Sequence, residues 1–148
     1  PLYSSAASDV YKRQAIDSLA PADENNLVQA AHIDINSVTE TLTDIESAFD
    51  TNFMVNKAQH YLMTKLIKKG ALLFFIGGDN FMAPCNGLSE KEIEDILVEI
   101  NDEIGIGLKA GIGVGRNMED AAYMADLGLE EIRDHDNGMW TWVIEKEY

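Results

Sequence analysis

Ala71-Leu-Leu-Phe-Phe-Ile-Gly-Gly-Asp-Asn-Phe-Met-Ala-Pro84 consists of two short apolar runs about a glycine pair. Runs of this length, bounded by Gly-Gly and closed by proline, predict a β-hairpin whose turn is Gly77-Gly78-Asp79-Asn80. Upstream, Phe53, Met54, Ala58, Tyr61, Leu62, Leu66 and Ile67 recur at helical spacing, and the helix ends in Lys68-Lys69-Gly70. Before it, Leu27 to Asn36 reads as a strand. Ser37-Val-Thr-Glu40 then fits a helix-starting capping pattern and opens an acidic helix to about Phe49.

Downstream, Ser89 with Glu92 predicts a second capping box, and Ile93, Ile96, Leu97 and Ile100 form the apolar stripe of a helix that stops before Gly105. Gly107 to Val114 is a glycine-rich strand. Asn117 to Asp120 caps a helix reaching about Arg133, and Asp134 to Gly138 is a turn. Met139 to Ile144 alternates as a closing strand, with Trp140 and Trp142 expected on one face as core or interface packing. The succession β-α-α-β-β-α-β-α-β predicts an α+β fold. It suits a ferredoxin-like, antiparallel-rich sheet with helices on one face.

The 148 residues suffice for one core, and 11 Lys plus Arg against 26 Asp plus Glu give a net charge of −15. That field repels nucleic-acid phosphates, so no nucleic-acid partner is expected, and a triphosphate ligand needs a divalent cation and local donors. Ala71 to Ile76 is the longest apolar run, too short for a membrane span, and the lone Cys85 has no disulfide partner. The expectation is a soluble cytoplasmic protein. Residues 1–14 lack any structural period and resemble a translated adapter read-through; they are set apart as a non-native or disordered leader. Residues 15–26, with Pro21, read as a linker remnant, and residues 27–148 as the folded domain.

Asp34 and Asp79 both stand where apolar strands end, and carboxylates there are costly without partners. In a split βαβ sheet the first strand lies beside the hairpin, so both reach one rim and offer Mg²⁺ the hard oxygens it prefers. The Ile35 carbonyl is a third candidate ligand. Gly77 and Gly78 permit close backbone approach. The chain from Ile35 and Asn36 into the helix-start amides of Ser37, Val38 and Thr39 is positioned to receive phosphate oxygens.

Three separated motifs, Phe75-Ile-Gly-Gly-Asp-Asn-Phe-Met82, His32-Ile-Asp-Ile-Asn36 and Leu108-Lys-Ala-Gly-Ile-Gly113, together resemble archaeal GTP cyclohydrolase III. The likeness runs from about Val28 to Glu145. That family is related to the palm domains of GGDEF proteins and class III nucleotidyl cyclases. The resemblance implies Mg²⁺-dependent hydrolysis of GTP to a formylaminopyrimidine ribonucleotide monophosphate plus phosphate, helped by K⁺. It places Asp34 and Asp79 at the metal site and makes Asn80 a candidate contact to nucleotide or metal-bound water. It also implies a tandem protein of which this chain is the second palm domain, with the N-terminal palm domain as its missing partner and a homo-oligomer as its assembly.

Lys109 either reaches the phosphates or is a solvated edge lysine. His32, two residues from Asp34 on the same strand face, is either a proton carrier or a packed strand histidine. Arg116 is a weaker phosphate candidate, His60 and His135 read as structural, and Cys85 has no neighbour that would activate it. Two other readings stay open. One is a nucleotidyl cyclase, against which Asn80 stands in place of the glutamate of Gly-Gly-Asp-Glu-Phe; the other is a catalytically idle palm domain used for assembly.

Overall fold

A computed structural model of the chain describes residues 27–36, 48–135 and 138–148. The expected leader and linker, and residues 37–47 of the helix expected from Ser37, lie outside them. The described elements are β1 (Val28–Ile35), α1 (Ala48–Ile67), β2 (Phe74–Gly77), β3 (Asn80–Pro84), α2 (Glu90–Ile104), β4 (Leu108–Gly115), α3 (Met118–His135) and β5 (Thr141–Glu145). Their five-stranded sheet has the order β2-β3-β1-β4-β5. Every pairing is antiparallel except that of β4 with β5, which α3 joins as a crossover. The α+β, antiparallel-rich class follows the sequence reading.

Local chemistry sets the element ends. Gly70, at φ 79, terminates α1 while Ala71 N donates back to Leu66 O at 3.0 Å. Ser89 and Glu92 form the predicted capping box of α2, and Gly105 closes that helix in the left-handed region at φ 69. Asn117 Oδ1 accepts from Asp120 N at 2.9 Å and starts α3.

The helices do not share one face, contrary to the sequence expectation. Ala31, Ile33 and Ile35 of β1, Phe81 and Ala83 of β3, and Leu108, Ala110 and Ile112 of β4 form one buried core with Leu62 and Leu66 of α1 and Leu97 and Ile100 of α2. The alternate residues face α3, where Val28 and Ala30 pack on Ala121. A Cβ at Gly111 would lie 2.0 Å from Ala125 O, and one at Gly113 would lie 1.9 Å from Ala121 O. Those glycines of β4 bring α3 onto the second face, which side chains would hold at a distance. The tryptophans part accordingly: Trp140 packs against the α1/α2 core, while Trp142 stacks on His135 of α3 with centroids 5.4 Å apart. Trp140 precedes β5, so strand alternation does not bind it.

Candidate metal and nucleotide site

Pairing of β1 between β3 and β4 sets Asp34 opposite Asn80 on one side and Lys109 on the other. The hairpin turn is tied to the same place, because Ile35 N donates to Asp79 O at 3.2 Å. Gly77 at φ 116 and Gly78 at φ 60 occupy backbone regions that side chains rarely adopt, which makes this tight turn possible. Asp34 and Asp79 therefore meet at one rim, as the sequence predicted, with Ile35, Asn36, Gly77 and Gly78 beside them. Asn36 N donates to Gly107 O at 2.8 Å and closes the rim on the β4 side. Ser37, Val38 and Thr39 lie outside the described residues.

Asp34 is the charged residue buried most deeply in the described chain, at 5% exposure. Its Oδ2 accepts from Arg133 Nη2 at 2.7 Å and stands 3.7 Å from Lys109 Nζ. Its Oδ1 is buried and has no hydrogen-bond partner among the described residues. A bare carboxylate oxygen out of water is costly, and a cation satisfies it. Burial, and then the negative charge of Asp34, push the Asp79 carboxyl above its ordinary value, while the Arg133 charge pulls the other way. A divalent cation beside Asp79 relieves the cost of ionising that carboxyl. Among the described residues no three Asp, Glu, His or Cys side chains gather for a metal. The donor set thus fits Mg²⁺ held by two carboxylates with water or phosphate oxygens completing the shell, rather than an all-protein cage.

A chain of hydrogen bonds approaches Asp79 from α3. His32 Nδ1 and Asp126 Oδ1 are hydrogen-bonded at 2.6 Å, and His32 Nε2 and Asn80 Oδ1 at 2.9 Å. Asn80 Nδ2 in turn donates to Asp79 Oδ1 at 2.9 Å. The amide orientation follows from the carboxylate, which only accepts. Both ring nitrogens of His32 are thus engaged, an arrangement that supports Asn80 and leaves neither nitrogen turned toward a substrate.

Lys109 joins the site rather than standing as a solvated edge residue. Arg116 does not: it follows β4 at the opposite end of the sheet, about 20 Å from the rim by strand rise, with its guanidinium 4.0 Å over the Tyr148 ring. His60 packs edge-on against Tyr61, and His135 stacks on Trp142, both structural as expected. Cys85 is buried, and that burial pushes its thiol up to about 11. Sequence reasoning missed Arg133 and Asp126. Seven residues apart on α3, they lie on one helix face beside the buried stripe of Ala125, Gly128, Leu129 and Ile132. Once a helix is known to cover a glycine-rich strand, polar residues flanking its buried stripe are the signal.

On the α1/α2 side of the same rim lies a cleft of about 440 Å³ lined by Asp50, Phe53, Met54, Lys57, Ile104, Gly105 and Ile106. Among the described residues no helix is long and apolar enough to cross a membrane.

A sequence model of the family described as GTP cyclohydrolase III matches residues 2–147. A protein named GTP cyclohydrolase III from Methanothermobacter thermautotrophicus is 61% identical over 119 residues, covering 80% of this chain and 47% of its own length. A protein of that name from Methanocaldococcus jannaschii is 54% identical over 128 residues, covering 86% and 48% respectively. The chain spans about half the length of the curated relatives it matches. Among solved structures, the GGDEF domain of DgcB from Caulobacter crescentus, in complex with c-di-GMP, superposes with a TM-score of 0.68 at 14% identity, covering 94% of this chain and 88% of that one. The diguanylate cyclase SiaD of Pseudomonas aeruginosa gives 0.66 at 12% identity, with coverage of 94% and 57%. At those identities the likeness concerns the fold alone.

Proposed function

The chain belongs to the GTP cyclohydrolase III family, and from that premise we propose that it is the C-terminal palm half of an enzyme that hydrolyses GTP with Mg²⁺. The reaction opens the imidazole ring and removes two phosphates, leaving a formylaminopyrimidine ribonucleotide monophosphate. The observation that carries this reading is the buried Asp34 Oδ1, unpartnered among the described residues, beside Asp79.

Asp34 and Asp79 hold the metal, with the Ile35 carbonyl as a further ligand. Bound Mg²⁺ supplies polarisation of phosphoryl oxygens and acidification of water. Lys109 and Arg133, which share Asp34 Oδ2, would supply positive charge to a triphosphate held there. Gly77 and Gly78 let phosphate approach the turn backbone. The neighbouring cleft has apolar walls, Phe53, Met54, Ile104 and Ile106, for a purine face. His32 holds Asn80 in this reading instead of carrying a proton.

The other palm half completes the pocket. The open edge of the sheet supports its docking at β2, where Phe74, Phe75 and Ile76 are each about half exposed and residues 70–78 carry no charge. Edges left this apolar are normally covered.

Titrating purified chain with GTP in Mg²⁺ and in chelator tests the reading. Metal-dependent binding lost in Asp79→Ala, with slow release of inorganic phosphate and ring-opened product, is expected. Brisk turnover by the isolated chain would contradict the need for the other half. The second reading, nucleotidyl cyclisation, against which Asn80 stands, would be established by pyrophosphate with a cyclic dinucleotide as products.

A further inference from the structure

On α3, away from both carboxylates, Asp126 is half exposed, yet its carboxylate ends the hydrogen-bond chain that reaches Asp79. The side chain of His32 between them is 14% exposed, against 52% for that of Asp126. Bonded to Asp126 through Nδ1, the His32 ring is held in one plane and one orientation. Nε2 then meets the Asn80 carbonyl, and the amide nitrogen is aimed at Asp79 Oδ1. Asparagine alone suits this place among its isosteres: aspartate would set an acceptor against the Asp79 carboxylate. Released from His32, the amide rotates freely, and a rotated carbonyl would oppose the carboxylate it now supports.

We propose that Asp126 is a positioning residue of the metal site, acting through His32 and Asn80 to orient the Asp79 carboxylate. The proposal rests on the reading of Asp34 and Asp79 as metal ligands. Residues that orient ligands in this way change metal affinity by roughly 10- to 100-fold when removed. A helix-to-sheet ion pair of structural value only would alter thermal stability and leave metal affinity alone.

The test is Mn²⁺ binding to the purified chain, read by the loss of free-ion signal in electron paramagnetic resonance, with folding checked by circular dichroism. Asp126→Leu is expected to weaken Mn²⁺ about tenfold or more. Asp126→Asn, whose carbonyl still accepts from Nδ1–H, restores affinity to within about threefold of the parent. In a His32→Gln background Asp126→Leu is expected to add nothing, because the pathway is already cut. The Asn80 side-chain amide signals in nitrogen-correlated spectra of the metal-free chain shift in Asp126→Leu and not in Asp126→Asn. Unchanged Mn²⁺ affinity in Asp126→Leu, or full additivity with His32→Gln, overturns the proposal. Asp79→Ala separates the two readings: if it abolishes binding while Asp126→Leu is silent, only the role of Asp126 falls. If Asp79→Ala is silent too, or the parent chain binds no Mn²⁺, the metal reading fails and takes this inference with it.

Discussion

Asp79 sits where function and stability pull apart. Its carboxyl is raised by burial and by Asp34, so the folded chain holds that proton more tightly than the unfolded one. The linkage then has a definite sign: the contribution to stability is fully present below the ordinary carboxylate range and is lost as pH rises through the raised value. In the absence of metal, Asp79→Asn is expected to melt higher than the parent near pH 7 and to match it near pH 3; equal melting temperatures at both would refute the strain. On the proposed role of Asp79 as a metal ligand, Mg²⁺ binding is expected to run the other way, weakening as pH falls through the same range, because the ligand must be ionised. Cys85 gives a second check. With its thiol pushed up to about 11 and Gln29 Nε2 3.5 Å from the sulfur, native chain at pH 8 should resist iodoacetamide, while chain in urea reacts promptly. The carboxylates were legible in the sequence because each interrupts an apolar strand end. Arg133 was not, because Asp34 and Arg133 are 99 residues apart and meet only when α3 crosses the sheet.

At the level of elements, the docking of α3 depends on glycine. A methyl at Gly111 or Gly113 would meet backbone atoms of α3 at 2.0 and 1.9 Å, and backbone cannot turn aside as a side chain does. Gly113→Ala is therefore expected to destabilise by 3 kcal/mol or more, at or above the usual range of about 1–3 for overpacking, and to loosen Arg133 from Asp34. Gly107→Ala, which meets only the Asn36 side chain at 3.2 Å, should cost much less. Urea denaturation of the two variants compares them directly. The sequence showed a glycine-rich strand and an amphipathic helix, but periodicity does not say which face of a sheet a helix covers. That choice belongs to the β4-α3-β5 crossover and to the glycines that admit it.

For the whole molecule, 26 acidic against 11 basic residues make self-repulsion the dominant long-range field. Raising NaCl from about 10 mM to about 0.5 M screens that field, so the melting temperature should rise. A fall would mean that pairs such as Lys65 with Glu99 and Glu103, at 3.0 and 2.8 Å, outweigh the repulsion. The uncharged β2 edge is where another palm half can approach without opposing carboxylates. Phe74→Lys should reduce any self-association of the isolated chain in sedimentation, and an unchanged distribution would remove β2 from consideration. The sequence by itself determined the kinds of element, the hairpin turn with Asp79, the carboxylate of Asp34 at the end of the first strand, and the acidic field, because these follow from local spacing, residue chemistry and composition. Only the tertiary structure decided that α3 takes the second face, that Arg133 and Lys109 share one oxygen of Asp34 while the other has no hydrogen-bond partner among the described residues, and that Asp126 reaches Asp79 through His32 and Asn80. Those facts arise where residues far apart in the chain are brought within hydrogen-bond distance, and no local pattern encodes that distance.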